Sequence, residues 1–129
     1  MRSPRIRVVL GSPEDTSADI VVRAGARASA EGRVVTVDAP RWQRPGASGE
    51  HLLAGAYRDA VAAANARDAR TMVLPAILAR GPWPLEEVTR IALTVLKSTP
   101  TTLQEVVIAA GTPAMVERWA EALVREPTY

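Results

Sequence analysis

Thr71-Met-Val-Leu-Pro-Ala-Ile77 is almost wholly apolar, and it stands between two stretches of helical period. An apolar run this short, without alternation, is how a strand buried on both faces reads, and such a strand belongs in the middle of a parallel sheet. Upstream, Leu53, Tyr57, Ala60, Val61 and Ala64 recur at three- and four-residue spacing between Glu50 and about Ala66. That spacing predicts an amphipathic helix whose small alanines let it lie close against a sheet. Downstream, Pro84 stands where a helix's first residue belongs, and Glu86 and Glu87 face the positive end of the helix dipole. Val88, Ile91, Ala92 and Val95 make that helix's buried stripe, and Lys97 suits its C-terminal end. Glu105-Val-Val-Ile-Ala-Ala110 is a further strand stopped by Gly111. Thr112-Pro113 then opens a last helix with Met115, Val116, Trp119, Leu123 and Val124 on its inner face. Helix, strand, helix, strand, helix with short connections implies a mainly parallel sheet covered by helices on both faces.

The first half is patterned more loosely. Arg5-Ile-Arg-Val-Val-Leu10, ended by Gly11, reads as a strand. Ser12-Pro13-Glu14-Asp15 has helix-start chemistry, but only one or two turns fit before Ala18-Asp-Ile-Val-Val22 resumes strand character. Arg23 to Gly32 is small and polar without a period, so a loop and a short irregular helix are both open readings. Arg33-Val-Val-Thr-Val37 is the next strand, and Arg41-Trp-Gln-Arg-Pro-Gly-Ala-Ser-Gly49 is a turn-rich connection. Residues 1–129 read as one domain, without internal repeat or linker.

Composition excludes more than it assigns. With 47% hydrophobic and 23% charged residues the chain can bury a proper core. No apolar run approaches the ~20 residues of a membrane span, and Arg7 and Gly11 interrupt any signal-peptide core. A soluble, cytoplasmic protein is the expectation. Zero cysteines remove disulfides, thiol nucleophiles and thiolate metal sites together. The net charge is only +2, with arginines scattered among acids, so the basic stripe of a nucleic-acid binder is missing.

In the expected sheet several strand ends gather at one edge: Gly11-Ser12, Arg23-Ala24-Gly25, Leu78 to Trp83, and Gly111-Thr112. Such an edge is where open α/β folds bind ligands, and Gly-containing turns before helices offer backbone N–H groups to an anion. Gly11, Ser12, Leu78, Ala79, Arg80, Gly81, Trp83 and Gly111 are therefore the candidate ligand contacts, with Arg80 supplying charge and a donor fork. The plainer readings are a solvated Arg80, a Gly81 that only permits the turn, and a Trp83 that plugs the helix start. His51 is the single histidine and has no partner for catalysis or metal binding, and Glu14-Asp15 and Glu86-Glu87 are explained as first-turn acids. Neither a catalytic constellation, nor a metal site, nor a cofactor is implied.

The ordered series resembles the macro domains, the ADP-ribose-binding and ADP-ribosyl-hydrolase family. Ile6-Arg-Val-Val-Leu-Gly11 and Ala18-Asp-Ile-Val-Val22 are similar to its opening strand and Val-Asp-Ala-Ile-Val element. Val34-Val-Thr-Val-Asp-Ala-Pro-Arg-Trp42 looks like its Val-Gly-Pro-x-Trp strand, and Glu50-His-Leu-Leu-Ala-Gly-Ala-Tyr57 its Leu-Leu-x-x-x-Tyr helix. Thr71 to Ile77 and Pro84-Leu-Glu-Glu87 bracket a counterpart of its phosphate loop, and Glu105 to Leu123 matches its last strand and helix. The resemblance implies a three-layer α/β/α fold with a mixed, mainly parallel sheet, here lacking the Gly-rich loop and helix of the first half.

The departures from the family pattern bear on activity. Its Gly-Asp-Ile turn, whose acid reads adenine, stands here as Gly11-Ser12-Pro13, and its Asn-Ala-Ala-Asn falls on Arg23-Ala-Gly-Ala26. The phosphate loop is one residue short and reads Leu78-Ala-Arg-Gly-Pro-Trp-Pro84, and the adenine-stacking aromatic aligns with Gly111. Losing a charge-assisted hydrogen bond of about 1.5–3 kcal/mol and a stacking contact of roughly 1–3 kcal/mol weakens binding about 100-fold or more. The expected function is a degenerate macro-domain-like binding or interaction module without hydrolase activity. The alternatives are an ADP-ribose, nucleotide or phosphate binder using Arg80 and Trp83, and, last, a hydrolase using non-standard residues. Partners left open are such a ligand, a second protein, or a second copy of the chain meeting through Trp42 over sheet surface that the missing helix leaves bare. Membrane and nucleic acid are not expected.

Overall fold

The computed structural model describes residues 3–40, 47–80 and 83–125. Along them run β1 (Arg5–Leu10), a 3-10 turn (Pro13–Asp15), β2 (Ile20–Gly25), β3 (Ser29–Glu31) and β4 (Val34–Asp38). α1 (Ala47–Ala66), β5 (Thr71–Pro75), α2 (Leu85–Ser98), β6 (Glu105–Ala110) and α3 (Pro113–Arg125) follow. The strands form one sheet in the order β1-β6-β5-β2-β4-β3, parallel throughout except for β3 against β4. The mixed, mainly parallel α/β architecture is the expected one, and β5 sits at its centre.

The register explains the core. Ile6, Val106, Met72 and Ile20 lie side by side across the sheet, as do Val8, Ile108 and Leu74. This face packs against all three α-helices: Leu53, Tyr57, Ala60, Val61 and Ala64 of α1, Val88 and Ile91 of α2, and Trp119 of α3 join one cluster with it. On the opposite face Val21, Val73, Val107 and Ala109 form a smaller cluster with Val9 and Ala18 against it. That face is crossed by the connection from Gly11 to Asp19, whose 3-10 turn packs on β2 and β5.

The three α-helices lie on the first face, and the described cover of the second is one 3-10 turn. The reason is length. Leu10 ends at the carboxyl edge and Ile20 begins at the amino edge, so the connection must return the length of a strand, about 20 Å. Residues 11–19 wound as an α-helix would advance only about 14 Å. The same connection buries Val21, Val73 and Val107, so the bare sheet surface expected there is absent from the described residues. Trp42, the expected contact residue, lies outside them.

Three local expectations change. The polar stretch from Arg23 is not a loop at first: Arg23, Ala24 and Gly25 continue β2 by pairing with Thr36, Val37 and Asp38. It then holds the wholly exposed β3, which has no buried side chain to give it a pattern. α1 begins at Ala47, three residues before Glu50. On α3, Ala122 takes the inner position with Trp119 while Val124 is 83% exposed; five residues from Trp119 is well round the helix from it.

The start of β2 is tied to the start of β5 by Asp19. Its carboxylate accepts the N–H groups of Arg70 (2.9 Å) and Thr71 (3.3 Å), and Thr71 Oγ1 accepts the Asp19 N–H (2.8 Å). The Arg70 N–H first, then the Thr71 N–H, hold the Asp19 carboxyl below its ordinary value. Hydrogen bonding to Arg90 acts the same way on Glu87. A carboxyl depressed in the native state contributes stability that is present above its unfolded value and is lost as pH falls through the native one. Urea denaturation should therefore show stability falling as pH drops below about 4. Asp19→Ala should lower stability at pH 7 and flatten part of that acid-side fall; an unchanged pH profile would refute the role given to Asp19.

Candidate functional site

Because β1, β6, β5, β2 and β4 are parallel, their carboxyl ends meet at one edge. The candidate residues fall there in two groups. Gly11 and Ser12 follow β1, where the Gly11 N–H donates to Ala110 O (2.8 Å) and so sets them beside Gly111, the residue after β6. Gly11 has φ +140, a backbone conformation that glycine adopts without strain. Ser12 turns its hydroxyl to Asp15 Oδ2 (2.9 Å) instead of capping the 3-10 turn.

The second group is the loop after β5. Leu78 is fully buried, and its N–H points at the Tyr57 hydroxyl (3.4 Å), a group that burial pushes up in pKa and keeps protonated. Below it, the buried Trp119 indole N–H donates to Ala76 O (3.0 Å), fixing the first residue beyond the strand to α3. Ala79 is partly buried and Gly81 lies outside the described residues. Arg80 donates its backbone N–H to Pro40 O (2.9 Å) and its Nε–H to Ala39 O (2.9 Å). Trp83 is 5% exposed and donates its indole N–H to Pro40 O (3.2 Å). Of its two open readings, the plug at the start of α2 is the one that this geometry matches.

These contacts reach across a strand. β2 lies between β5 and β4 in the sheet, so hydrogen bonds from Arg80 and Trp83 to Ala39 and Pro40 bridge the carboxyl end of β2. The Ala39 N–H meanwhile donates to Gly25 O (2.9 Å), extending the β2–β4 ladder one residue further. Gly25 itself has no room for a side chain, since a Cβ there would come within 2.5 Å of Thr36 Cγ2. Arg23, which aligns with the family's first asparagine, is on the other face, 3.9 Å from Glu14. The edge therefore presents backbone and the rest of the Arg80 guanidinium.

Reasoning from sequence missed Tyr57, Ala39 and Pro40 as parts of this site. The tyrosine was visible as a helix-stripe residue, but its hydroxyl's partner was not. The two carbonyls carry no side-chain signal at all.

Elsewhere, a cleft of about 740 Å³ opens at the opposite, amino edge between Arg5, Thr71, Thr101, Gln104 and Glu105. Several of its backbone donors are already used: Leu103 N–H by Thr101 Oγ1, and Gln104 and Glu105 N–H by Arg70 O. Among the described residues no group of three or more acidic or histidine side chains is placed to hold a metal ion. No described helix is long and apolar enough to cross a membrane.

No protein-family model matches the sequence, and a search of curated proteins returned no match. Solved structures do match. A macrodomain of Oceanobacillus iheyensis with MES bound superposes with a TM-score of 0.73 at 14% identity, over 92% of this chain and 89% of that one. The macro domain of ganglioside induced differentiation associated protein 2 gives 0.68 at 14% identity, over 94% and 86%. The Oceanobacillus macrodomain with ADP gives 0.62 at 19% identity over 71% of this chain, which spans half of that structure's length. At these identities the likeness is one of fold, and the fold is that of the macro domain.

Proposed function

We propose that this chain is a binding or interaction module of the macro-domain fold, without ADP-ribosyl-hydrolase activity. The observation that carries the reading is the bridge across the end of β2. The loop that would cradle a diphosphate instead spends the Arg80 N–H, the Arg80 Nε–H and the Trp83 indole on Ala39 and Pro40. A ligand entering there has to displace these bonds, and a buried carbonyl that loses its donor costs about 1–3 kcal/mol. Hydrolysis needs a group that orients water, and the residues brought together here (Ser12 with Asp15, and Arg80 with two carbonyls) supply neither a placed base nor an activated nucleophile.

A second reading, recognition of ADP-ribose or another phosphate ligand, is supported by Arg80. Its side chain is held by Nε and is only partly buried, so the guanidinium is positioned without being enclosed. One of the similar structures carries ADP, which makes an adenine nucleotide the first ligand to try.

Titration calorimetry with ADP-ribose separates the two. A flat isotherm at protein concentrations where a low-micromolar ligand would register is the expected result. A one-to-one, low-micromolar isotherm that Arg80→Ala weakens at least about tenfold would instead establish the second reading. Incubation with an ADP-ribosylated protein should release no ADP-ribose; release above the buffer rate would overturn the absence of hydrolysis.

If Trp83 is a plug, its removal is a stability change before it is anything else. Trp83→Ala should cost about 3–5 kcal/mol in urea denaturation. A stability within about 0.5 kcal/mol of the parent would return Trp83 to the solvent-facing role.

A further inference from the structure

The two edges of the sheet are built differently. β3, at one edge, is three residues long and fully exposed, the short and polar kind of edge that discourages further pairing. β1, at the other, is six residues without proline and, among the described residues, pairs with β6 alone. The Arg5 N–H bonds to Gln104 O and the Gly11 N–H to Ala110 O, so odd-numbered residues turn their backbone groups toward β6. The N–H and C=O groups of Ile6, Val8 and Leu10 therefore face outward. Their side chains lie on the helix-covered face, where Ile6 and Val8 pack against the core and Leu10 stays 61% exposed.

We propose that β1 is a homodimer interface at which two copies pair antiparallel about a two-fold axis through Val8. Parity and the number of backbone bonds select this register. Across a two-fold normal to the sheet, opposed residues must lie on the same face, so Val8 opposite Val8, or Arg7 opposite Arg7, are the kinds of solution. The first exchanges backbone bonds at Val8 and at both Ile6–Leu10 pairs, about six in all. It sets apolar side chains opposite one another and covers the exposed Leu10. On the other face it places Arg7, already paired with its own Glu105 at 3.3 Å, opposite Val9. The neighbouring registers, centred on Arg7 or on Val9, each form about four bonds, and the first also opposes Arg7 to Arg7, a destabilising like-charge pair. A second copy meets the requirement by itself, since the same six residues supply both the outward backbone groups and the matching apolar positions. The contact is isologous and closes at two chains.

The test is sedimentation velocity of the whole chain from low micromolar to several hundred micromolar. A species of twice the chain mass is expected, and Leu10→Lys should raise its dissociation constant at least about tenfold. Leu10 is exposed in the single chain, so circular dichroism of that variant should match the parent. The chain contains no cysteine, so single-cysteine variants report the register directly. Val8→Cys should cross-link under mild oxidation, since hydrogen-bonded antiparallel pairs lie about 5.5 Å apart between Cα atoms, and Arg7→Cys should not. A monomer at every concentration overturns the proposal. So does a dimer that survives Leu10→Lys, or one that cross-links at residue 7 in preference to residue 8.

Discussion

Strand β5 cannot be left wet on either side. Met72 and Leu74 on one face and Val73 on the other are all fully buried, and most of the architecture follows from having to cover both. A central strand with buried apolar residues on both faces needs neighbours on both sides and chain crossing both faces. On one face this is done with three α-helices, whose combined apolar stripes make the main core. On the other, among the described residues, it is done with the 11–19 connection, and that economy is possible because the second buried cluster is small: three valines and an alanine. The sheet is therefore asymmetric in thickness. Its parallel order still delivers the carboxyl ends of five strands to one edge, whichever face carries the weight.

What that edge offers to a ligand depends on how its loops satisfy themselves. A backbone carbonyl near a buried tryptophan must find a donor or stay open to water. Ala39 and Pro40 find theirs in Arg80 and Trp83, from the far side of β2. Arginine suits this because its Nε can be spent on structure while the guanidinium remains outside. The same choice decides which donors the edge leaves open. Donors that a ligand could have used are satisfied within the protein, and the Trp83 ring is buried at the start of α2, 3.4 Å from where a Cβ on Gly49 would stand.

The second half of the chain was legible because its signals are redundant. For α2, a proline at the N-terminus, two first-turn acids, an apolar stripe and a C-terminal lysine all agree, and the helix runs from Leu85 to Ser98. β6 was readable to the residue, since Glu105 begins the apolar run and Gly111 stops it. The first half carries its information in pairing instead. Arg23, Ala24 and Gly25 look like loop until they meet Thr36, Val37 and Asp38, and Ser29–Glu31 is a strand only through β4. Long-range pairing leaves no periodicity where a strand's residues are small or, as in β3, exposed on both faces. At the site, Arg80 and Trp83 were visible as unusual residues in a Gly/Pro loop. Their partners are carbonyls, which any residue supplies, so composition could mark the loop without saying what it binds.

The covering economy and the edge asymmetry are connected. In a sheet covered thickly on both faces, the outermost strand is shielded by the overhang of the layers. Here α3 packs over β1 on the helical face, while the thin face leaves Arg5 and Arg7 exposed and only half covers Val9. β1 is consequently supported enough to be a regular six-residue strand yet is not enclosed. Its charges sit on the thin face, where they stay solvated, and its apolar residues sit on the thick one. Arginines on one side of an edge strand keep that face in water without blocking the outward row of N–H and C=O groups, for which a proline, a bulge or an inward-pointing charge would be needed. The described edge has none of these from Arg5 to Leu10.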